Sequence, residues 1–200
     1  TFLNIIMGIL GRDSGTLLIL GEQIARSFPE RLKMRMNMSS GNANFPWSLT
    51  VRENIIFYGM LYGMGGAKLS KKADELMEFV SLEQYKDRRF DELSTGNKQK
   101  LALAKSLINS PELLLLDEPT TGMDPDISAK IRAMIKDINK NRGITVLLTT
   151  HYMKEAEELC GRIAFIKGGA IRALGTKEEL QTMVNARDME EAFIELAAEE

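Results

Sequence analysis

Hydrophobic residues in the middle of the chain recur at the spacing of a helix. From Thr50 to Met64 the apolar side chains fall three or four positions apart, as they do on one face of an α-helix. Gly65–Gly66 ends this pattern, a second apolar stripe follows Ser70, and a third helix is expected over Lys98–Ile108, before Pro111. The middle of the chain is therefore predicted to be helical.

The pattern changes near residue 112. Leu113–Leu116 and Ile144–Thr149 are short runs of consecutive apolar residues, which is typical of strands buried on both faces of a parallel sheet. Between them one face of a predicted helix is apolar: Ile127, Ile131, Met134, Ile135 and Ile138. This order of elements predicts a βαβ unit with a right-handed crossover.

Two hairpins and a loop are expected elsewhere. Thr16–Ile24 alternates loosely around a glycine, and Arg162–Ala173 has the glycine pair Gly168–Gly169 at its centre, which suits a tight turn with positive φ angles. The segment Met34–Ser48 contains Ser, Gly, Asn and Pro and is interpreted as a loop. Methionines in it alternate, which also fits one face of a strand: Met34, Met36 and Met38.

Composition narrows the class of protein. A chain of 200 residues with 44% hydrophobic and 27% charged residues fits one globular domain, or one domain with a subdomain. The net charge of −2 provides no overall positive field for nucleic acid. Cys160 is the single cysteine, which excludes an intrachain disulfide, and no apolar run reaches the roughly 20 residues that span a bilayer. Phe2–Leu10 has the pattern of a helix without a cap in front of it, so we expect residues to be missing upstream of Thr1.

Two adjacent acids follow the first predicted sheet strand. Asp117 and Glu118 end the run LLLLDEP, and ligands of parallel α/β sheets bind beyond the carboxyl ends of the strands. One carboxylate can hold Mg²⁺ and the other can act as a general base on a water molecule. The alternative is a solvated acidic turn, which is the more common reason for such a pair.

Two further segments have candidate chemistry. Ser94 and Gly96 stand at the start of a predicted helix, where free N–H groups can bind an anion such as phosphate. His151, the only histidine, follows the strand that ends at Thr149, and its imidazole could reach a phosphate or a water molecule. Each segment also has an interpretation without a function. The helix after Ser94 could be an N-capped surface helix, and His151 could be a partly exposed histidine that binds nothing.

The order of these motifs resembles the ABC ATPase family. The motifs follow one another as the signature motif, the Walker B strand with its glutamate, the D-loop and the H-loop do in that family: LSTGN from Leu93, LLLLDEP from Leu113, TGMD from Thr121 and TTH ending at His151. The resemblance covers nearly the whole chain, including LTVREN at Leu49–Asn54. It implies an α/β fold with a P-loop NTPase-like parallel sheet core (residues 1–48 and 107–200), an inserted helical subdomain (49–106) and a small antiparallel β part.

The resemblance also assigns roles by position. Asp117 would hold Mg²⁺, Glu118 would activate water, Asp124 would lie at a dimer interface and His151 would contact the γ-phosphate. The signature residues would contact ATP bound to the opposite protomer: Ser94, Thr95, Gly96 and, beside them, Asn97.

The chain departs from the family pattern in three places. The loop GxxxxGK[ST] is absent, and Thr1 corresponds to the residue two places after its lysine. The segment Met38–Ser48 has no glutamine where the family usually has one that senses Mg²⁺, and Asn42 is the nearest chemical substitute. The signature reads LSTGN instead of LSGGQ, a variant in which Thr95 and Asn97 keep small or polar character.

The sequence thus predicts the ATP-binding and ATP-hydrolysing subunit of an ABC transporter, most similar to ATPases of ABC-2-type exporters. ATP and Mg²⁺ are the expected cofactors, and a transmembrane permease subunit and a second ATPase protomer are the expected partners, at the cytoplasmic face of the cell membrane. The 200-residue chain by itself is expected neither to bind ATP tightly nor to hydrolyse it. Two alternatives stay open: an ABC-type ATPase of a soluble DNA- or ribosome-associated machine, and a non-catalytic partner in a heterodimer, against which Glu118 argues.

Overall fold

The computed structural model describes residues 1–25, 27–40 and 45–198, which form two compact units, 1–149 and 150–200. Asn42, the predicted substitute for the glutamine, lies outside the described residues. The assignment of 1–48 and 107–200 to one ATPase core, with 49–106 as a helical subdomain, stays a proposal.

A three-stranded parallel sheet forms the centre of the first unit. Its order is β3 (Met36–Ser40), β4 (Leu113–Asp117) and β5 (Thr145–Thr149). The central strand is β4, and Leu114–Leu116 has no exposed surface, which is why this strand consists of consecutive apolar residues. The predicted parallel βαβ unit is confirmed, with α6 (Pro125–Lys140) as the crossover helix.

Short elements cover one face of this sheet. They are α1 (Phe2–Ile6), the hairpin of β1 (Leu17–Ile19) and β2 (Glu22–Ile24), and α2 (Glu30–Lys33). Side chains from all four elements pack with the sheet in one apolar cluster: Leu3, Ile6, Ile19, Ile24, Leu32, Met36 and Leu115. Residues two apart in a strand share a face, so the face of Leu115 that α1 covers is also the face of Asp117.

Helices fill the segment between β3 and β4. They are α3 (Val51–Leu61), α4 (Gly66–Phe79) and α5 (Thr95–Ser106), with 3₁₀ turns at Glu83–Tyr85 and Phe90–Glu92. The three α-helices contact one another, and α5 also contacts β3. A capping box begins α3, in which the side chains of Thr50 and Glu53 each bond the backbone amide of the other residue.

The second unit is a hairpin packed with helices. It contains α7 (Met153–Leu159), β6 (Ile163–Lys167), β7 (Ala170–Gly175), α8 (Lys177–Met183) and α9 (Met189–Ala198). The hairpin turns at Gly168 and Gly169, with φ angles of 59° and 80°, so the predicted glycine turn is confirmed. Its core consists mainly of side chains from these elements: Ala156, Ile163, Phe165, Ala173, Leu180, Met189, Ala192 and Leu196.

Two expectations from the sequence need correction. The predicted loop Met34–Ser48 contains the strand β3, which the alternating methionines favoured and the polar residues between them obscured. The predicted helix Phe2–Leu10 ends at Ile6. Gly8 has a φ of +69°, which a continuing right-handed helix excludes, and a Cβ atom there would lie 2.5 Å from the ring of Phe28, so this left-handed turn takes glycine.

Candidate functional site

Asp117 lies at the carboxyl edge of the sheet, in the middle of a row of three polar residues. The register pairs Ser40 of β3 with Asp117 and Asp117 with Thr149 of β5. The hydroxyl of Thr149 donates a hydrogen bond of 2.6 Å to Oδ1 of Asp117. Residues in register on neighbouring strands share a face, so Ser40 is on the same face. The Asp117 carboxylate is half-buried and held in one orientation.

Glu118 takes a backbone conformation that is unusual for its residue type. Its φ angle is +52°, a left-handed conformation that costs a non-glycine residue on the order of 1–3 kcal/mol. The amide of Glu118 still bonds the carbonyl oxygen of Thr149 at 3.0 Å, so the turn begins directly at the end of the β4–β5 ladder. The Thr121 hydroxyl donates to Oε2 of Glu118 at 2.6 Å. Strand, turn and hydroxyl together orient this carboxylate, which belongs to a half-buried residue.

A tight turn connects Glu118 with α6. Thr121 N–H bonds the carbonyl of Glu118, and Gly122 has a φ of +72°. Asp124 is the exposed N-cap residue of α6, and Pro125 occupies the first helical position, where its missing N–H costs nothing. The side chain of Asp124 makes no capping bond to its own helix, and it is placed on the surface, as an interface residue has to be.

The residues at the sheet edge fit Mg²⁺ with phosphate and water as further ligands. Among residues 1–25, 27–40 and 45–198 no three His, Cys, Asp or Glu side chains come close enough to hold a metal by themselves. Mg²⁺ commonly uses one or two carboxylates and completes its coordination with substrate phosphate and water. Asp117 would offer one fixed carboxylate whose Thr149 partner orients it, which suits that mode of binding.

The signature residues form the first turn of α5. Ser94 is the N-cap, and its hydroxyl accepts a bond of 3.4 Å from Asn97 N–H. Ser94 and Thr95 are exposed, while Gly96 and Asn97 are half-buried. Amides at the start of this 12-residue helix give the positive end of a helix dipole. The helix start predicted at Ser94 and Gly96 is confirmed, whereas the helix predicted over Lys98–Ile108 begins earlier, at Thr95, and ends at Ser106.

The other predicted site residues lie in different places. Thr1 is the exposed N-cap of α1, without a capping bond from its side chain. His151 belongs to the second unit, two residues after β5, where it is exposed and its ring lies 4.2 Å from that of Tyr152. The structure thus brings together Asp117 and Glu118 with two hydroxyls that the sequence did not indicate, those of Thr149 and Thr121. An acid with a threonine three positions later, as in Glu118 and Thr121, is a local signal that could have been used, whereas Thr149 is distant in sequence.

The Thr149 hydroxyl gives a first testable prediction. The hypothesis that Asp117 holds Mg²⁺ for ATP hydrolysis predicts that Thr149→Val in the full-length protein raises the Mg²⁺ concentration for half-maximal ATP turnover by about 10- to 100-fold, the typical cost of losing an outer-shell partner of a metal ligand. Valine keeps the branched shape that suits a strand. Thr145→Val is the matched control, since Thr145 begins the same strand and pairs with Leu113 at its other end. Equal Mg²⁺ dependence of the two variants would show that the Thr149 hydroxyl does not support a metal ligand.

A family match covers more than half of the chain. Residues 1–121 match the ABC transporter family. The chain is 38% identical over 193 residues to the Nod factor export ATP-binding protein I of Paraburkholderia xenovorans. This alignment covers 96% of this chain and 63% of that relative. It is 34% identical over 180 residues to the linearmycin resistance ATP-binding protein LnrL of Bacillus subtilis, covering 90% of this chain and 57% of LnrL. The chain belongs to the ABC transporter family, and the resemblance seen in its motifs is confirmed.

Solved structures show the same fold. A dimeric ATP-binding cassette in a post-hydrolysis state, bound to ADP and Pi, superposes with a TM-score of 0.75 at 26% identity, over 88% of this chain and 78% of that one. The ATP-binding subunit of an ABC transporter matches with a TM-score of 0.82 at 24% identity, over 98% and 81% of the two chains. The predicted α/β class with a parallel sheet and antiparallel parts is therefore confirmed.

The chain spans about six-tenths of the length of the two curated relatives above, 63% and 57%. In the described part of the chain, none of the helices has both the length and the apolar character needed to cross a membrane.

Proposed function

We propose that this chain is part of the ATP-hydrolysing subunit of an ABC exporter. One observation carries the proposal: two carboxylates stand at the end of β4, Asp117 as its last residue and Glu118 directly after it. The Thr149 hydroxyl bonds Asp117 and the Thr121 hydroxyl bonds Glu118, each at 2.6 Å, so both carboxylates are oriented. Membership of the ABC transporter family supports the nucleotide as substrate, and a relative whose name refers to Nod factor export supports the direction of transport.

The two acids divide the chemistry. Asp117 would hold Mg²⁺, which when bound would supply positive charge that offsets the charge of the nucleotide phosphates. Glu118 accepts a proton from the attacking water at its carboxylate, whose position Thr121 maintains. Residues 94–97 present helix N–H groups to a phosphate. His151 is proposed to contact the γ-phosphate, and Thr1 and Asn42 are proposed to belong to the same nucleotide site.

The sites are proposed to form between two protomers. In a head-to-tail dimer, the acids of one protomer face the signature residues of the other, with Asp124 at the interface. A membrane-embedded permease subunit is the proposed partner, which places the protein at the cytoplasmic face of the membrane. Nucleic acid is not a proposed partner.

Mixing two inactive variants tests this arrangement. In the full-length protein, Glu118→Gln and Ser94→Arg should each abolish most ATP turnover. An equimolar mixture should recover about one quarter of the wild-type rate, because half of the random dimers keep one intact composite site out of two. The measurement is steady-state phosphate release after refolding or co-expression of the two variants.

The outcomes separate the proposals. If both single variants are inactive and the mixture recovers nothing, each site belongs to one protomer and the head-to-tail dimer is wrong. If the wild-type protein releases no phosphate from ATP, the hydrolytic function is wrong. Co-expression with a candidate permease then tests transport: the subunit should move to the membrane fraction with the permease present and stay out of it when the permease is omitted.

A further inference from the structure

The first turn of α5 lies directly against α6 at a single glycine. Gly96 is half-buried, and a Cβ atom added to it would lie 2.9 Å from Cγ2 of Ile127. The same atom would lie at 3.7 Å from Cγ1 and at 3.8 Å from Cβ of that residue. Only the Cγ2 methyl is therefore closer than carbon atoms approach in close-packed interiors.

The backbone at this position does not require glycine. Gly96 lies within α5 and is not among the residues with a positive φ, so an alanine could adopt the same conformation. Alanine is also the better helix former, by about 1 kcal/mol. Space is the remaining local reason for glycine, and the Ile127 side chain occupies that space.

The contact lies near the start of both helices, because Gly96 is the second residue of α5 and Ile127 is the third residue of α6. One turn further along each helix are Lys100 of α5 and Lys130 of α6. Burial lowers the pKa of Lys100, and the positive charge of Lys130 lowers it further. Like charges at this point repel each other, so this lysine pair does not draw the two helices together.

We propose that Ile127 is a positioning residue for residues 94–97. Its Cγ2 methyl sets the distance between the first turn of α5 and the first turn of α6, which Asp124 begins. The consequence for turnover rests on the proposed function, because residues 94–97 matter for ATP only if they contact a phosphate.

The experiment is a set of variants in the full-length protein: Gly96→Ala alone, and the same change combined with Ile127→Ala or with Ile127→Val. Alanine at 127 removes both γ-carbons, whereas valine keeps Cγ1 and Cγ2 and loses only the terminal methyl. The two double variants therefore differ in the atom that the proposal names. The Ile127 single variants serve as reference for each pair, with kcat and KM for ATP and urea unfolding as separate readouts.

The proposal expects a selective rescue. Gly96→Ala should lower kcat about tenfold, the equivalent of a modest overpacking cost. In the Ile127→Ala background the same change should have less than about a threefold effect, and in the Ile127→Val background the full effect should remain. Unfolding should show the same coupling between positions 96 and 127.

Other results overturn the proposal. If Gly96→Ala is equally harmful in both Ile127 backgrounds, the glycine serves another purpose, such as the approach of a phosphate. If Gly96→Ala has little effect on kcat in both Ile127 backgrounds, the Cγ2 methyl is not the atom that limits the approach of α5. If unfolding is coupled but kcat is not, the contact is structural only. A wild-type protein without ATP turnover contradicts the proposed function and the positioning role together, while coupling in the unfolding data still establishes the contact.

Discussion

Glu118→Gln should lower ATP turnover of the full-length protein by about 10²- to 10⁴-fold, the usual contribution of a general base. Glutamine has nearly the same shape, and its amide oxygen can still accept the 2.6 Å bond from the Thr121 hydroxyl. The change therefore removes proton acceptance and keeps the geometry. Steady-state phosphate release measures the effect, and size-exclusion chromatography with ATP should show dimers that retain the nucleotide.

Glu112→Gln is the matched control for this prediction. Glu112 immediately precedes the same strand, β4, at its opposite end and is bound by Arg35 at 2.6 and 2.8 Å. Exposed ion pairs contribute roughly 0–1 kcal/mol, so this variant should keep nearly normal turnover. If Glu118→Gln also keeps turnover within tenfold of the wild type, Glu118 is not the base.

Leu115→Ala should lower the free energy of unfolding by about 2–5 kcal/mol, the range for a large core side chain cut back to alanine. Leu115 has no exposed surface and lies in the central strand, where it packs in the cluster with α1 and the β1–β2 hairpin. Urea denaturation followed by circular dichroism measures the change. The denaturant slope should stay the same if only stability changes.

Leu18→Ala is the control for the core prediction. Leu18 is 66% exposed in β1, and exposed substitutions usually change stability by less than about 0.5 kcal/mol. Equal effects of the two leucine variants would mean that the layer over Leu115 is not packed as the structure describes.

The strands were predictable to different degrees. The consecutive leucines of β4 are typical of a strand buried on both faces, and the predicted strand is confirmed. In β3 two of the buried positions are polar, Asn37 and Ser39, so the segment resembled a loop. Asn37 is accommodated because its amide donates to the side chain of Asn109 at 2.8 Å, a partner 72 positions away that no local pattern indicates.

The residues of the candidate site were also predictable to different degrees. Asp117 and Glu118 could be selected because they follow a predicted sheet strand, and the carboxyl end of such a strand is where ligands bind. The partner of Asp117 could not be selected, because Thr149 meets it only through the register of β4 with β5. The left-handed backbone of Glu118 is likewise a property of the turn that follows the sheet.

By itself the sequence determined the periods of the helices and the buried strands, the turn at the glycine pair Gly168–Gly169 and the helix start at Ser94, because these depend on residues a few positions apart. It also determined the family, through the order of short motifs. Only the tertiary structure decided which distant side chains meet: Thr149 with Asp117, Asn109 with Asn37, and Ile127 with Gly96. Local pattern assigns a side chain to a face, but strand register and helix packing determine its neighbour across that face.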